Sequence, residues 1–111
     1  MNARTIVYDE PEIHVEKRDG IAFVTMDRPP VNAFNRSMYD QARRTFNRLG
    51  DDPEVHVALL TGAGHVFCAG NDLHEFVDFS FETANEHLAH ARLCFNAMYD
   101  CAVPIVGAIN G

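Results

Sequence analysis

The run Phe-Cys-Ala-Gly-Asn-Asp-Leu at residues 67–73 combines residue types that suit the stabilisation of a developing negative charge. It follows a Gly-Ala-Gly turn, and Asp72 stands where it would cap a following helix. Gly70 permits a positive φ or the close approach of another molecule to the backbone. The next amide, that of Asn71, would then lie free at a helix N-terminus, where the helix dipole favours negative charge. A fixed donor of this kind forms an oxyanion hole.

A β-hairpin is predicted ahead of this run, because it would place the first apolar strand of the core. Ile13 and Val15 alternate with polar residues. Asp19-Gly20 is a tight-turn sequence, and an apolar segment starts directly after it at Ile21. The two halves of the hairpin are therefore expected to pair.

Two helices and two further strands complete the predicted layout. One strand is expected over 55–61 and another from Val103. The first helix is predicted to begin near Asn35 or Ser37 and to end at residues 50–53, and the second to run from Ser80 to about Ala102. Apolar stripes support both helices: Met38, Ala42, Phe46 and Leu49, then Ala84, Leu88, Ala91, Phe95, Met98 and Ala102. Strands alternating with helices indicate an α/β domain.

Composition excludes several classes of protein. The chain has 111 residues and 47% apolar content, which is enough for one core, and its net charge of −7 argues against nucleic acid or an anionic membrane as a partner. It has neither a stretch of membrane-spanning length nor a signal-peptide pattern. Its three cysteines form no CxxC pair, which predicts reduced thiols and a cytoplasmic location. Residues 1–11 are expected to be a loosely ordered N-terminal segment, and residues 12–111 to be the domain.

Residues 67–73 resemble the first oxyanion-hole motif of the crotonase superfamily, the enoyl-CoA hydratase/isomerase family. Three further stretches are similar to that family in kind and order: residues 21–34, with Arg-Pro followed by Asn-Ala-Phe, then 55–62, then 103–111. The resemblance covers the chain from about Ile13 to its end. It implies the form of the α/β fold, a right-handed crotonase-like spiral of ββα units that is incomplete in this chain.

The resemblance also implies a function, an acyl-CoA enzyme of the enoyl-CoA hydratase/isomerase type in fatty acid metabolism. The backbone N–H of Asn71 would stabilise the thioester enolate, so its side chain is expected to be free to vary. The residues expected to bind the coenzyme A thioester are Val31, Ala33, Ala69, Gly70, Asn71, Asp72 and Leu73. Coenzyme A would be part of the substrate, with no separate cofactor and no metal. Family members form homotrimers and hexamers.

In the family, the second oxyanion glycine and the catalytic glutamates follow the segment that matches the last strand here. The chain is therefore expected to be the N-terminal part of a longer domain and to be inactive alone. One alternative is a non-catalytic fragment, or an acyl-CoA-binding piece that lacks the second half of the site. Another is a small acidic interaction module with an exposed apolar patch and no pocket.

Other motifs indicate rival chemistry more weakly. Residues 62–67 begin like a dinucleotide-binding glycine loop, but Phe67 holds the third glycine position. A His-Glu pair at 74–75 starts like a zinc-protease helix that lacks its second histidine. Three side chains share one helical face and could ligate a soft metal, although a semi-exposed stripe beside the core is the preferred interpretation: His87, His90 and Cys94.

Four kinds of side chain near residues 67–73 could also act in catalysis. Asp72 could be an acid or base, but capping is preferred. Cys68 could be a nucleophile, but filling a small buried site is preferred. Proton transfer could be performed by His65, His74 or Glu75, although a surface role is preferred for each of them.

Overall fold

The computed structural model describes residues 5–77 and 80–111, which form one five-stranded sheet with two helices packed on one face. The strands stand side by side in chain order: β1 Thr5–Asp9, β2 Ile13–Arg18, β3 Ile21–Met26, β4 Val57–Gly62 and β5 Ile105–Gly107. The first three strands pair antiparallel, and β3, β4 and β5 pair parallel. Helix α1, Arg36–Asp51, connects β3 to β4, and helix α2, Phe81–Tyr99, lies between β4 and β5. The predicted α/β class is confirmed.

The predicted hairpin is present as strands β2 and β3. Ile13 lies opposite Met26, and the pairing continues in register to the turn. Asp19 has φ 54° and Gly20 has φ 81°, the two left-handed conformations that a two-residue hairpin turn requires. A Cβ on Gly20 would also lie 2.6 Å from the ring of the exposed His56 side chain, which would have to shift, so conformation is the main reason for glycine here.

Helix α1 buries the stripe that its periodicity predicts. Asn35 caps its N-terminus, where the side-chain oxygen accepts from the Met38 N–H at 2.9 Å. The stripe residues pack with the inward-facing side chains of β2, β3 and β4 in one core: Met38, Ala42, Phe46 and Leu49. This core fixes the face of the sheet on which the helices lie.

The N-terminal segment differs from the expectation of a loosely ordered run over residues 1–11. Residues 5–9 form strand β1, which pairs with β2, while residues 1–4 lie outside the described part. Tyr8 is buried and donates a hydrogen bond to Asp52, and Lys17 Nζ lies 2.8 Å from the same carboxylate. Arg48 also lies 4.1 Å above the Tyr8 ring, so charged groups on both sides of this aromatic residue hold the strand to the end of α1.

These contacts shift the pKa values of the groups that make them. Hydrogen bonds from Lys17 and Tyr8 lower the pKa of Asp52 to about 2. Burial, with the hydrogen bond to Asp52, raises the pKa of Tyr8 to about 12. The same carboxylate raises the pKa of Lys17. All three pKa shifts favour an ionised Asp52, a neutral Tyr8 and a charged Lys17. In these forms the three side chains join β1 and β2 to the end of α1.

Helix α2 begins at the predicted cap, but it buries only part of the predicted apolar stripe. Ser80 and Thr83 form a reciprocal capping box, and the helix ends at Tyr99 rather than near residue 102. Leu88 and Phe95, which were expected in the core stripe, are 61% and 56% exposed. The buried positions of this helix are His87, Ala91 and Cys94. The core face of α2, which α1 covers, therefore combines Ala91 of the predicted stripe with His87 and Cys94, which were expected to be semi-exposed beside it.

Candidate functional site

Residues 67–73, the site loop, lie beside the segment 28–34 that follows β3. The Phe34 N–H donates to the Gly70 carbonyl at 2.7 Å, and the Asp72 N–H donates to the Phe34 carbonyl at 2.8 Å. These two bonds form a short parallel bridge between Phe34 and Asn71. A third bond, from the Ala69 N–H to the carbonyl of residue 31, extends the pairing. The loop is therefore positioned by backbone contacts that do not depend on side-chain identity.

The Asn71 amide is left unpaired by this arrangement. Alternate peptide groups of an extended segment point in opposite directions, so Asn71 turns its own N–H away from Phe34 while residues 70 and 72 bond to it. Within residues 5–77 and 80–111, no acceptor is found for this N–H. Gly70 has φ 93°, a conformation that other residues rarely adopt. The glycine therefore sets the direction of the peptide that carries the amide.

Asp72 caps the segment that follows the site loop. Its side chain accepts from the His74 N–H at 2.9 Å, and Arg28 lies 2.9 Å from the other carboxylate oxygen. The His74 amide and then Arg28 hold the pKa of Asp72 below its usual range, so capping rather than proton transfer describes this residue. The capped segment, Leu73–Phe76, is a single 3-10 turn, so the helix start predicted after Asp72 is present as one short turn.

Buried Asn32 and half-buried Asn110 brace the turn before the site loop, and their role was missed from the sequence. The Asn32 side chain donates to the Val66 carbonyl at 2.8 Å and accepts from the Arg28 N–H at 2.8 Å. The Asn110 side chain donates to the Gly62 carbonyl at 2.8 Å. Asn32 has φ 56°, and asparagine tolerates this left-handed conformation better than most residues. An asparagine beside a predicted turn on each flanking segment was the available signal.

The predicted coenzyme A residues converge on one cavity of about 420 Å³, the site cavity. Its lining includes Arg28, Pro29, Pro30 and His74, together with six of the seven predicted residues: Val31, Ala33, Ala69, Asn71, Asp72 and Leu73. The seventh, Gly70, lies on the other side of the loop. The structure thus brings the predicted set together around the residue whose amide is unpaired.

Gly70 borders a second cavity of about 220 Å³, the apolar cavity, which lies between the sheet and the two helices. Its lining comes from β2, β3, β4, the site loop and both helices: Ile13, Val24, Met26, Phe34, Tyr39, Ala42, Phe46, Leu60, Phe67, Cys68, Gly70, Cys94, Phe95 and Met98. The site loop therefore separates a cavity with polar and charged groups from one that is almost wholly apolar.

The Asn71 side chain, which was expected to be free to vary, contacts both helices. Its Oδ1 accepts a hydrogen bond from the hydroxyl of Tyr39 on α1, and His87 Nε2 on α2 lies 3.5 Å from the same oxygen. Both partners are buried. Sequence reasoning missed these contacts because Tyr39, Asn71 and His87 come from three separate elements.

The remaining candidates for proton transfer lie at the rim of the site or outside it. Glu75 accepts from the Arg36 N–H at 2.8 Å, so it is bound to the start of α1. His74 lines the site cavity and is largely exposed, and His65 is exposed in the preceding turn. Cys68 is half-buried beside the apolar cavity, where its sulfur lies 3.4 Å from the Gly70 nitrogen.

The motifs for metal and nucleotide binding have structural explanations. His87 and Cys94 lie in the core, burial raises the pKa of the Cys94 thiol to about 11, and His90 contacts Asp40 at 2.7 Å. Across the described ranges, no group of three or more His, Cys, Asp and Glu side chains is placed to hold a metal ion. A Cβ on Gly62 would lie 2.4 Å from the Phe67 carbonyl oxygen, so this glycine serves the packing of its own turn.

Neither helix α1 nor helix α2, nor any other helix within residues 5–77 and 80–111, is both long and apolar enough to cross a membrane. The α2 face that carries Leu88 and Phe95 is exposed, but this helix is also interrupted by charged residues.

Comparison with known proteins identifies the family that the chain resembles. The family model described as enoyl-CoA hydratase/isomerase matches residues 16–111. The chain is 41% identical over 98 residues to the (7aS)-7a-methyl-1,5-dioxo-2,3,5,6,7,7a-hexahydro-1H-indene-carboxyl-CoA hydrolase of Rhodococcus jostii, with 84% of this chain and 36% of that protein covered. It is 34% identical to a probable enoyl-CoA hydratase of Mycobacterium tuberculosis, with 94% of this chain and 40% of that protein covered.

A solved structure of an enoyl-CoA hydratase/carnithine racemase from Magnetospirillum magneticum superposes on the chain with a TM-score of 0.88 at 30% identity. The match covers 93% of this chain and 40% of that one. The crotonase-like form of the α/β fold is therefore confirmed. The chain spans about two fifths of the length of the relatives it matches.

Proposed function

The chain belongs to the enoyl-CoA hydratase/isomerase family, and from this premise we propose that it supplies the first oxyanion donor and the coenzyme A contacts of an acyl-CoA enzyme. The observation that carries this proposal is the unpaired amide of Asn71, which lies in a loop between a site cavity that includes polar and charged groups and an apolar cavity. An acyl-CoA thioester has the polar coenzyme A group on one side of its carbonyl and the apolar acyl chain on the other. The site cavity and the apolar cavity suit these two parts.

In the proposed reaction, the thioester carbonyl oxygen accepts a hydrogen bond from the Asn71 N–H. When water adds to Cβ of an unsaturated acyl chain, the water gives one proton to a base, the Cα–Cβ π electrons move toward the carbonyl, and the thioester becomes an enolate until Cα takes a proton. In isomerisation, the same enolate forms as a proton leaves the acyl chain. A good donor at this oxygen stabilises the transition state by about 3 kcal/mol.

The other residues that line the site cavity have roles that follow from their size and contacts. Ala33 and Ala69 are small, which lets a ligand approach the backbone of both loops. Arg28 is already paired with Asp72 and with the Ala33 carbonyl, so its main contribution is to hold the two loops together. Val31 and Leu73 add exposed apolar surface at the cavity rim. The acyl group would extend past Gly70 toward the apolar cavity.

The finer description follows the family. We propose enoyl-CoA hydration or isomerisation in fatty acid metabolism, with coenzyme A as part of the substrate and no separate cofactor. A cytoplasmic location and a homotrimeric or hexameric assembly of the full-length protein are proposed on the same basis. Hydrolysis of a ring-bearing acyl-CoA is a second candidate, favoured by the 41% identity to a hydrolase of that type.

The competing proposals are a non-catalytic acyl-CoA-binding piece and an interaction module. The interaction module requires an exposed apolar patch, which α2 has, but it also requires the absence of a pocket. The two cavities beside the site loop count against it. A binding piece would use the same contacts as the enzyme, so binding and turnover must be measured separately.

Thermal unfolding of the purified chain with and without coenzyme A and butyryl-CoA tests the proposal. A ligand present at 100 times its Kd stabilises a folded protein by about 2.7 kcal/mol. We expect butyryl-CoA to raise the Tm and Gly70→Val to abolish the rise. The absence of any rise in the unmodified chain would contradict the proposal. Product analysis with a 2-enoyl-CoA then separates an enzyme from a binding piece, and identifies hydration, isomerisation or hydrolysis.

A further inference from the structure

We propose that Tyr39 is a positioning residue for the oxyanion donor, and that it acts through the side chain of Asn71. The inference rests on the proposed function, because it concerns the same amide. Tyr39 on α1 donates its hydroxyl proton to Asn71 Oδ1, and His87 on α2 lies 3.5 Å from that oxygen. The residue whose backbone would touch the substrate is thus held by its side chain to both helices.

The local backbone shows how this anchor acts. The Phe34 N–H donates to the Gly70 carbonyl at 2.7 Å, and this carbonyl belongs to the same planar peptide group as the Asn71 N–H, which itself makes no hydrogen bond within the described ranges. Glycine is the residue with the greatest backbone freedom, so this one bond is the hydrogen bond that restrains the peptide on the Gly70 side. The Asn71 side chain restrains it from the other side. An oxyanion donor stabilises charge only if its direction is fixed before the charge forms.

Tyr39 is itself held on several sides. Its ring lies 5.1 Å from the ring of Phe34, the bridge residue, 5.7 Å from that of His87 and 5.9 Å from that of Phe95. Burial raises the pKa of the Tyr39 phenol, which keeps the hydroxyl protonated and able to donate. The tyrosine therefore connects the backbone bridge, the Asn71 side chain and the core of both helices.

The chemistry of the acceptor fits a site that meets an anion. The Asn71 amide side chain can hold the Tyr39 hydroxyl without bringing a negative charge near the thioester oxygen. An aspartate could accept the same bond, but its charge would oppose the enolate. A neutral anchor thus positions the donor without weakening the field that the donor provides.

Two ligands separate positioning of the donor from ordinary binding. Butyryl-CoA has a neutral thioester oxygen, whereas acetoacetyl-CoA can lose a Cα proton to the buffer and bind as an enolate, which has its own near-ultraviolet absorption. Affinity for each is measured with the unmodified chain, Tyr39→Phe, Asn71→Ala and the double variant. Tyr8→Phe is the matched control, because Tyr8 is equally buried and also donates to a side-chain oxygen, at a place remote from the site cavity.

We expect Tyr39→Phe to weaken enolate binding roughly tenfold and to leave the affinity for butyryl-CoA within about twofold. Tyr39→Phe should add nothing in the Asn71→Ala background, because both changes break one contact. Tyr8→Phe should leave both affinities unchanged. Three results would overturn the inference and leave the proposed function standing: equal weakening of the binding of the two ligands, additive effects in the double variant, or no effect of Tyr39→Phe. If the unmodified chain bound neither ligand, the inference and the proposed function would both be wrong.

Discussion

Two buried tyrosines each donate a hydroxyl hydrogen bond to a side-chain oxygen, in two regions of the molecule that have different roles. Tyr39 donates to the neutral side chain of Asn71 at the site loop, and Tyr8 donates to the carboxylate of Asp52 at the end of α1. Asp52 is also bound by Lys17, so the second region is a charged network. Asn71 instead lines a cavity.

The charge of each hydrogen-bond acceptor, Asp52 or Asn71, suits the groups that surround it. At the end of α1 the carboxylate is useful, because a cation stands beside it and the three groups join two strands to a helix. At the site loop a carboxylate in place of the Asn71 amide would oppose the negative charge that the proposed reaction creates, whereas the Asp72 carboxylate is paired with Arg28. The network around Asp52 should therefore govern stability and its dependence on pH, and the contact of Tyr39 with the neutral Asn71 side chain should govern ligand binding.

The largest effect on ligand binding is expected from Gly70→Val. Gly70 has φ 93° with open space around it, so the substitution strains the backbone and turns the Asn71 peptide without causing a clash. We expect enolate binding to fall on the order of 100-fold, as for the loss of one oxyanion donor. Gly64→Val is the matched control, because Gly64 has φ 76° and equally open space but borders neither cavity. Similar loss of binding in both variants would contradict the account.

Asn32→Ala should lower stability by about 2–4 kcal/mol, since it leaves buried carbonyls of the turn and the Arg28 N–H without their partner. Urea unfolding measures this loss. Asn32→Gly relieves the left-handed φ of 56° and isolates the side-chain contribution, so it should recover part of the stability. If both variants were as stable as the unmodified chain, the bracing role assigned to Asn32 would be wrong.

The charged region should make stability fall in acid. The pKa of Asp52 is lowered in the folded state to about 2, so its contribution is present above its unfolded value, near 4, and is lost as the pH falls from about 4 to about 2. We expect about 1–2 kcal/mol to be lost in this window. Asp52→Asn should lower stability at neutral pH and remove this part of the acid dependence. An unchanged pH profile in Asp52→Asn would assign the acid loss to other carboxylates.

The smallest effect is expected on the exposed face of α2. Leu88→Gln should change the free energy of unfolding by less than about 0.5 kcal/mol, because Leu88 is largely exposed. Ala91→Gln, three residues along the same helix, should destabilise by about 1–3 kcal/mol, because it overfills a buried position. Equal effects in the two variants would mean that the face assigned to the core is wrong.

The parts of the fold that the sequence predicted correctly are set by local chemistry. Asp19-Gly20 determines its turn, Asn35 caps α1, and Asp72 caps the segment after the site loop, all through neighbours within a few residues. The site loop belongs to this group as well, because a short motif carried its resemblance to a known family. Its predicted ligand residues meet in space through two adjoining loops.

The parts that were missed depend on contacts between distant residues. Strand β1 is held by Tyr8 and Asp52, which are 44 positions apart and leave no periodic signal. Periodicity could not decide between the two neighbouring faces of α2, since both carry apolar residues, and the position of α1 decided it. His87 is polar yet buried because it packs against Tyr39 and Asn71, and a single sequence does not show such a contact.

Infrared spectroscopy of butyryl-CoA with a carbon-13 label at the thioester carbonyl tests the central claim most directly. A hydrogen bond from the Asn71 amide polarises the carbonyl, so the stretching band should move to lower wavenumber when the ligand binds. The account predicts this shift in the unmodified chain, a smaller one in Tyr39→Phe and its loss in Gly70→Val. A bound thioester whose band stays at the position of the free ligand would contradict the assignment of the Asn71 amide as the donor.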